Sequence, residues 1–125
     1  MTSLNPAHVQ AVIRAINEGP YIKYASLIDT AAYWAAYCEI DAGVGLISID
    51  LKIDYLAPLS SGVIISKGRS IKIGKSMCLA EAAATDQHGK WLAHGTSKMM
   101  ITRGLQSIED AFRFTGAAAL PSKFI

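Results

Sequence analysis

Ser26-Leu27-Ile28-Asp29-Thr30-Ala31-Ala32-Tyr33-Trp34-Ala35-Ala36-Tyr37-Cys38 decides how this chain folds. No Pro or Gly interrupts it, and its small and apolar residues run nearly all round a helical period. Such a stretch reads as a helix buried on most sides. The alanines let other elements approach its axis closely. One carboxylate, Asp29, sits in the middle. An acid inside an apolar helix is costly unless it is paired, hydrogen-bonded or put to use.

After residue 44 the pattern changes from helical to extended. Leu46 to Tyr55 alternates strictly, with Ile47, Ile49, Leu51, Ile53 and Tyr55 on one face and Ser48, Asp50, Lys52 and Asp54 on the other. That is the signature of a half-buried strand. Pro58 and Ser60-Ser61-Gly62 break it. Further strands are predicted at about Val63 to Ile73, Ser76 to Thr85 and Trp91 to Thr102, separated by Gly74-Lys75 and by Asp86-Gln87-His88-Gly89. The short Gly-containing links predict an antiparallel meander over residues 45–103.

Before the central helix, Asn5-Pro6 has the form of an N-cap followed by Pro at the first helical position. Val9, Val12, Ile13 and Ile16 then recur at helical spacing, and Gly19-Pro20 ends the segment. It reads as a packing helix or as a flank over a site. Residues 104–125 read as a C-terminal tail, with a short helix over Ser107 to Phe114 capped by Ser107. The fold class predicted is therefore α+β. One domain spans 1–125: a helix in 1–19, the central helix in 21–38, and an antiparallel sheet of about four strands wrapped around that helix.

At 125 residues, 51% hydrophobic and 18% charged, the chain can bury a core. A formal net charge of +2 argues against nucleic acid as a partner. No run approaches the roughly 18 apolar residues of a membrane span, and none at the start resembles a signal peptide. Cys38 and Cys78 lack metal spacing and read as reduced core residues of a cytoplasmic protein. His8, His88 and His94 share no spacing that suggests a metal or a triad. Trp34 and Trp91 read as core.

Three passages resemble the hot-dog fold acyl-CoA thioesterases of the phenylacetyl-CoA thioesterase type. Leu27-Ile28-Asp29-Thr30-Ala31 is similar to that family's central-helix motif. Ser48 to Tyr55 followed by Leu56-Ala57-Pro58 is similar to its next strand and Tyr-Leu-x-Pro ending. Lys72-Ile73-Gly74-Lys75, Leu79-Ala80-Glu81-Ala82 and Gly89-Lys90-Trp91-Leu92-Ala93-His94-Gly95 are similar to its last strands. Together they cover about residues 21 to 103. Family members usually carry two more strands before the central helix, ending in an Asn-containing loop and a His-Gly-Gly motif about nine residues before the helix acid. Here Gly19-Pro20-Tyr21-Ile22-Lys23 stands in that place, without the Asn, the His or the two glycines.

The resemblance implies hydrolysis of an acyl-CoA thioester without metal or cofactor. Asp29 is then the base or nucleophile, and burial would strengthen it as a base while it still ionises. Ser48 matches a Ser or Thr that assists from the partner subunit. Lys72, Gly74 and Lys75 match a basic turn near the phosphates of coenzyme A. The oxyanion donor would be a backbone N–H at the helix start. The residues themselves leave other roles open: Asp29 as a structural acid, Ser48 as a solvated polar residue beside Asp50 and Lys52, and the basic turn as an ordinary hairpin. A dehydratase on the same fold would need a His beside the helix acid, and none lies there. A homodimer or dimer of dimers is expected, because a sheet of this size leaves an open edge, and the resemblance implies that it joins through the strand at Leu46 to Tyr55. The alternative function is a non-catalytic hot-dog scaffold or an acyl-CoA-binding dimer.

Overall fold

The computed structural model describes residues 5–18, 20–59, 61–103 and 123–124. The element order is α1 (Pro6–Glu18), α2 (Pro20–Tyr37), β1 (Gly45–Tyr55), β2 (Ile65–Ile73), β3 (Met77–Thr85) and β4 (Trp91–Thr102). The predicted helix over Ser107 to Phe114 lies outside the described residues. Asn5 caps α1: its side-chain oxygen accepts from the Ala7 N–H at 3.0 Å, and its carbonyl accepts from Val9 at 3.1 Å.

The four strands form one antiparallel sheet in the order β1-β4-β3-β2. Only β2, β3 and β4 make a meander. The expected meander over 45–103 is corrected at its first strand, which joins the far side of β4 instead of pairing with β2. The connection from β1 to β2 therefore crosses the width of the sheet. It is tied down where Leu56 and Ala57 both donate to the Leu92 carbonyl, at 2.9 and 3.1 Å, and where the Tyr24 hydroxyl donates to the Ala57 carbonyl at 3.2 Å. Turn residues in the sequence show where strands end, but not which strand lies beside which.

Helix α2 packs on one face of this sheet. Tyr24, Ile28, Ala32 and Ala36 recur every four residues and are all fully buried. Beneath them lie Cys78, Ala80, Ala82 and Ala84 of β3 and Leu92, Ser97, Met99 and Ile101 of β4. The approach is closest at β2, where a Cβ on Gly68 would overlap the Ala31 carbonyl oxygen. Ser66 reinforces it by donating to the Leu27 carbonyl at 3.1 Å. The burial of α2 is thus one stripe within a single chain, narrower than its composition suggests. Trp34 is 49% exposed, and Trp91 on β4 is 54% exposed, so neither belongs to the core. Cys78 is buried as expected, whereas Cys38, just past the end of α2, is exposed. Lys123 returns to that end, donating to the Ile40 carbonyl at 2.6 Å with its ammonium 3.8 Å from the centre of the Tyr37 ring. No described helix is long and apolar enough to cross a membrane.

Candidate active site

The acid of the central helix meets the serine of the first strand. Asp29 is half-buried on α2, and the Ser48 hydroxyl donates to its Oδ1 at 3.4 Å. At that length the contact is a loose hydrogen bond. The partial exposure of Asp29 departs from the burial expected for it.

A bulge in β1 makes the contact. Ser48 lies opposite Met99, and Asp50 lies opposite Lys98, with Ile49 as an extra residue between them. Met99 faces α2 and is fully buried, while Lys98 is on the outer face. Directly opposed residues share a face in an antiparallel pair, and a bulge shifts the phase of the alternation. Ser48 therefore shares the helix-facing side with Leu51 and Ile53. It does not stand with Asp50 and Lys52, as strict alternation required. It lies within reach of the Asp29 of its own chain.

Lys72, Gly74 and Lys75 come together at the β2–β3 turn. Both lysines are exposed. Gly74 donates to the Met77 carbonyl at 2.8 Å, and a Cβ on it would stand 2.7 Å from that oxygen, so the hairpin itself calls for glycine. Arg103, at the end of β4, joins this turn and escaped the sequence reading. It donates to the Lys75 carbonyl at 3.5 Å and lies 3.9 Å from Asp41. Only the pairing of β3 with β4 could have pointed to it.

The acid–serine pair and the basic turn lie at one level of the sheet. Ile73, Cys78, Met99 and Ser48 form a single row across β2, β3, β4 and β1. Three strand spacings put Ser48 roughly 14 Å from Ile73. The two sites are thus held apart by the width of the sheet. Helix α2 begins at Pro20, nine residues before Asp29, which is about 13 Å along the axis.

Aromatic rings line α2 beyond the acid. Tyr33, one turn on from Asp29, stacks on Tyr37 at 6.0 Å, and Trp34 meets both rings edge-on. Burial pushes the Tyr33 phenol above its usual range, so it stays neutral at pH 7 and can donate a hydrogen bond. On the outer face, Glu81 accepts from Arg69 Nε at 3.0 Å and lies 3.2 Å from His94 Nε2. These two partners hold its carboxyl below the ordinary range. His94 is thus part of an exposed polar belt and lies away from Asp29.

A family model described as Thioesterase superfamily matches residues 23–93, more than half of the chain. Among solved structures, a Bacillus halodurans protein crystallised with CoA aligns with TM-score 0.61 and 22% identity, over 63% of this chain and 56% of that one. A thioesterase from Haemophilus influenzae aligns with TM-score 0.55 and 14% identity, over 61% and 52%. A phenylacetic acid degradation-related protein from Ralstonia eutropha aligns with TM-score 0.56 and 19% identity, over 59% and 55%. At these identities the likeness is one of fold. The chain spans little more than half the length of these structures. No curated protein matches it.

Proposed function

The chain belongs to the thioesterase superfamily and has its hot-dog fold, and we propose that it hydrolyses the thioester of an acyl-CoA. The observation that carries this reading is the placement of Ser48 beside Asp29 by the β1 bulge. Asp29 takes a proton from a water that attacks the thioester carbonyl and passes it to the departing thiolate, or attacks the carbonyl directly to form a mixed anhydride that water then hydrolyses, the water's proton going to the thiolate. A C–O bond forms, the C–S bond breaks, and the thiol of coenzyme A leaves with a proton. Ser48 orients the carboxylate. Lys72, Gly74 and Lys75 hold the phosphates, with Arg103 beside them.

The working unit in this proposal is a homodimer or a dimer of dimers. β1 is an edge strand that exposes Ile47, Ile49 and Tyr55. Pairing with its copy would close that edge and continue the sheet to eight strands. A dimer also answers the question of the oxyanion donor. The first turn of α2 is too far along the axis from the Asp29 of its own chain, so a helix-start amide would have to come from the second copy. Both cysteines are free, which fits a reducing cytoplasm.

The second reading, a non-catalytic scaffold or acyl-CoA-binding dimer, is favoured by one feature of the sequence: Gly19-Pro20-Tyr21-Ile22-Lys23 lacks the Asn, the His and the paired glycines that the family has in that place. A panel of acyl-CoA thioesters, with released thiol followed colorimetrically, separates the two. Turnover by the parent that is lost in Asp29→Asn supports the enzyme. Background rates throughout support the scaffold.

A further inference from the structure

Helix α2 has two flanks. On one, Leu27 and Ala31 meet β2, through Ser66 and at Gly68. On the other, Asp29 meets Ser48 of β1, at the opposite edge of the sheet. Tyr33 follows Asp29 by four residues, so it stands on the same flank with the two β-carbons about 5–6 Å apart. Side chains on a helix lean toward its N-terminus. The Tyr33 ring therefore leans back over the turn that carries the acid. Ser26, one turn before Asp29, leans away from it and is exposed.

The Tyr33 ring is held on two sides. It is half-buried and packs against the core. Tyr37 stacks on it at 6.0 Å with the planes 11° apart, and Trp34 closes edge-on at 5.6 Å. Its hydroxyl, by contrast, has no hydrogen-bond partner among the described residues. Other hydroxyls between helix and sheet are engaged: Tyr24 donates to the Ala57 carbonyl, Ser66 to the Leu27 carbonyl and Ser97 to the Asp50 carbonyl. A half-buried hydroxyl left without a partner is a cost to the fold unless a ligand completes it. Burial and the neighbouring Tyr37 also keep the proton on this phenol through the neutral range, so it is a donor beside an acid that only accepts.

Attack on a thioester carbonyl turns its oxygen into an oxyanion, which needs a donor. Asp29 cannot donate while ionised, and the Ser48 proton is turned toward Asp29. A helix-start amide from a second copy would come from a segment where Pro20 has no N–H and the paired glycines are missing. We infer that the Tyr33 hydroxyl is the oxyanion donor of this site, hydrogen-bonding the thioester oxygen while the attack proceeds at Asp29 on the same flank. This rests on the thioesterase reading and adds to it a residue that neither the acid nor the serine replaces. The phenol keeps its proton throughout: charge gathers on the oxygen as the C–O bond forms and returns to the carbonyl as the C–S bond breaks. The stack on Tyr37 and the edge of Trp34 set the donor in place before the reaction begins, which is what makes such a hydrogen bond effective.

The test compares Tyr33→Phe with the parent and with Asp29→Asn in steady-state hydrolysis of one acyl-CoA. Phe keeps the ring stack and loses only the hydroxyl, so thermal unfolding should match the parent. The kcat should fall about 10²–10³-fold, the usual loss for one oxyanion donor, with KM and calorimetric coenzyme A binding unchanged. A kcat equal to the parent's, or a raised KM with kcat kept, overturns the donor role. So does earlier unfolding with kcat per folded molecule unchanged. In each of these cases the thioesterase reading stands as long as the parent turns over and Asp29→Asn does not. A parent without turnover removes that reading and the donor with it.

Discussion

Ser48 stands 3.4 Å from Asp29 because Ile49 is an extra residue in β1. One unpaired residue turns the serine from the outer face to the helix side of the sheet, while Asp50, Lys52 and Asp54 stay outside. The two side chains are 19 positions apart in sequence, and only the bulge lets them meet.

If that pair is catalytic, Asp29→Asn should lower kcat by about 10²–10⁴-fold, the usual loss for acid–base assistance. Ser48→Ala should cost less, about tenfold, since the acid remains and only its orientation is loosened. Both side chains are at least partly exposed, so stability should change by no more than about 0.5 kcal/mol. Steady-state kinetics with one acyl-CoA, beside thermal unfolding of each variant, reads both effects. Full activity in a folded Asp29→Asn protein removes the residue from the mechanism.

The basic turn predicts a salt-dependent ligand. Lys72→Ala combined with Lys75→Ala should weaken coenzyme A binding by about three- to tenfold at low ionic strength, and by less in high salt, because exposed charges are screened. Calorimetric titration at two salt concentrations measures this. A parent protein that does not bind coenzyme A reduces the turn to a turn.

Gly68 tests the seat of the helix. Adding the single methyl of Gly68→Ala drives a carbon into the Ala31 carbonyl. Either α2 or β2 must shift, at a cost of about 1–3 kcal/mol. Chemical denaturation should show a lower midpoint with an unchanged slope. A midpoint equal to the parent's would mean that the helix sits further from the sheet than described.

Glu81 gives a pH dependence with a definite sign. Arg69 and His94 hold its carboxyl below its ordinary value of 4.5. A depressed acid contributes stability above the unfolded-state value, and that contribution is lost as pH falls through the folded value. The melting temperature of the parent should therefore exceed that of Glu81→Gln at pH 6, and the gap should narrow below about pH 4.5. A gap that widens on acidification contradicts the contacts on the outer face.

The open edge of β1 predicts self-association. Light scattering at micromolar concentration should return twice or four times the chain mass, and a steady monomer would argue against the shared-sheet dimer. Replacing Ile49, exposed on that edge, with Lys should shift the distribution toward monomer, because burying an unpaired charge in the seam is unfavourable.

Much of the fold could be read from local pattern. The unbroken run around Asp29 is a helix, Asn5-Pro6 starts one, and the alternating stretch after it and the three segments between turn signals are strands with ends within two residues of those expected. These features depend on the period of side chains along a single segment, and that period is written in the sequence. Gly74 also belongs here, since a tight hairpin announces itself by its glycine.

Strand order, the face of Ser48, the arrival of Arg103 at the basic turn and the exposure of Trp34 and Trp91 were decided only by tertiary structure. Each depends on what lies opposite a residue, and opposition is a relation between segments far apart in the chain. Alternation predicts two faces for β1 but cannot reveal that one residue is skipped, because a bulge costs a single ladder position and leaves the composition unchanged. The sequence by itself thus determined that an acid-bearing apolar helix lies against an antiparallel sheet. The register between β1 and β4, set by backbone hydrogen bonding across the sheet, decided that the acid has a serine beside it.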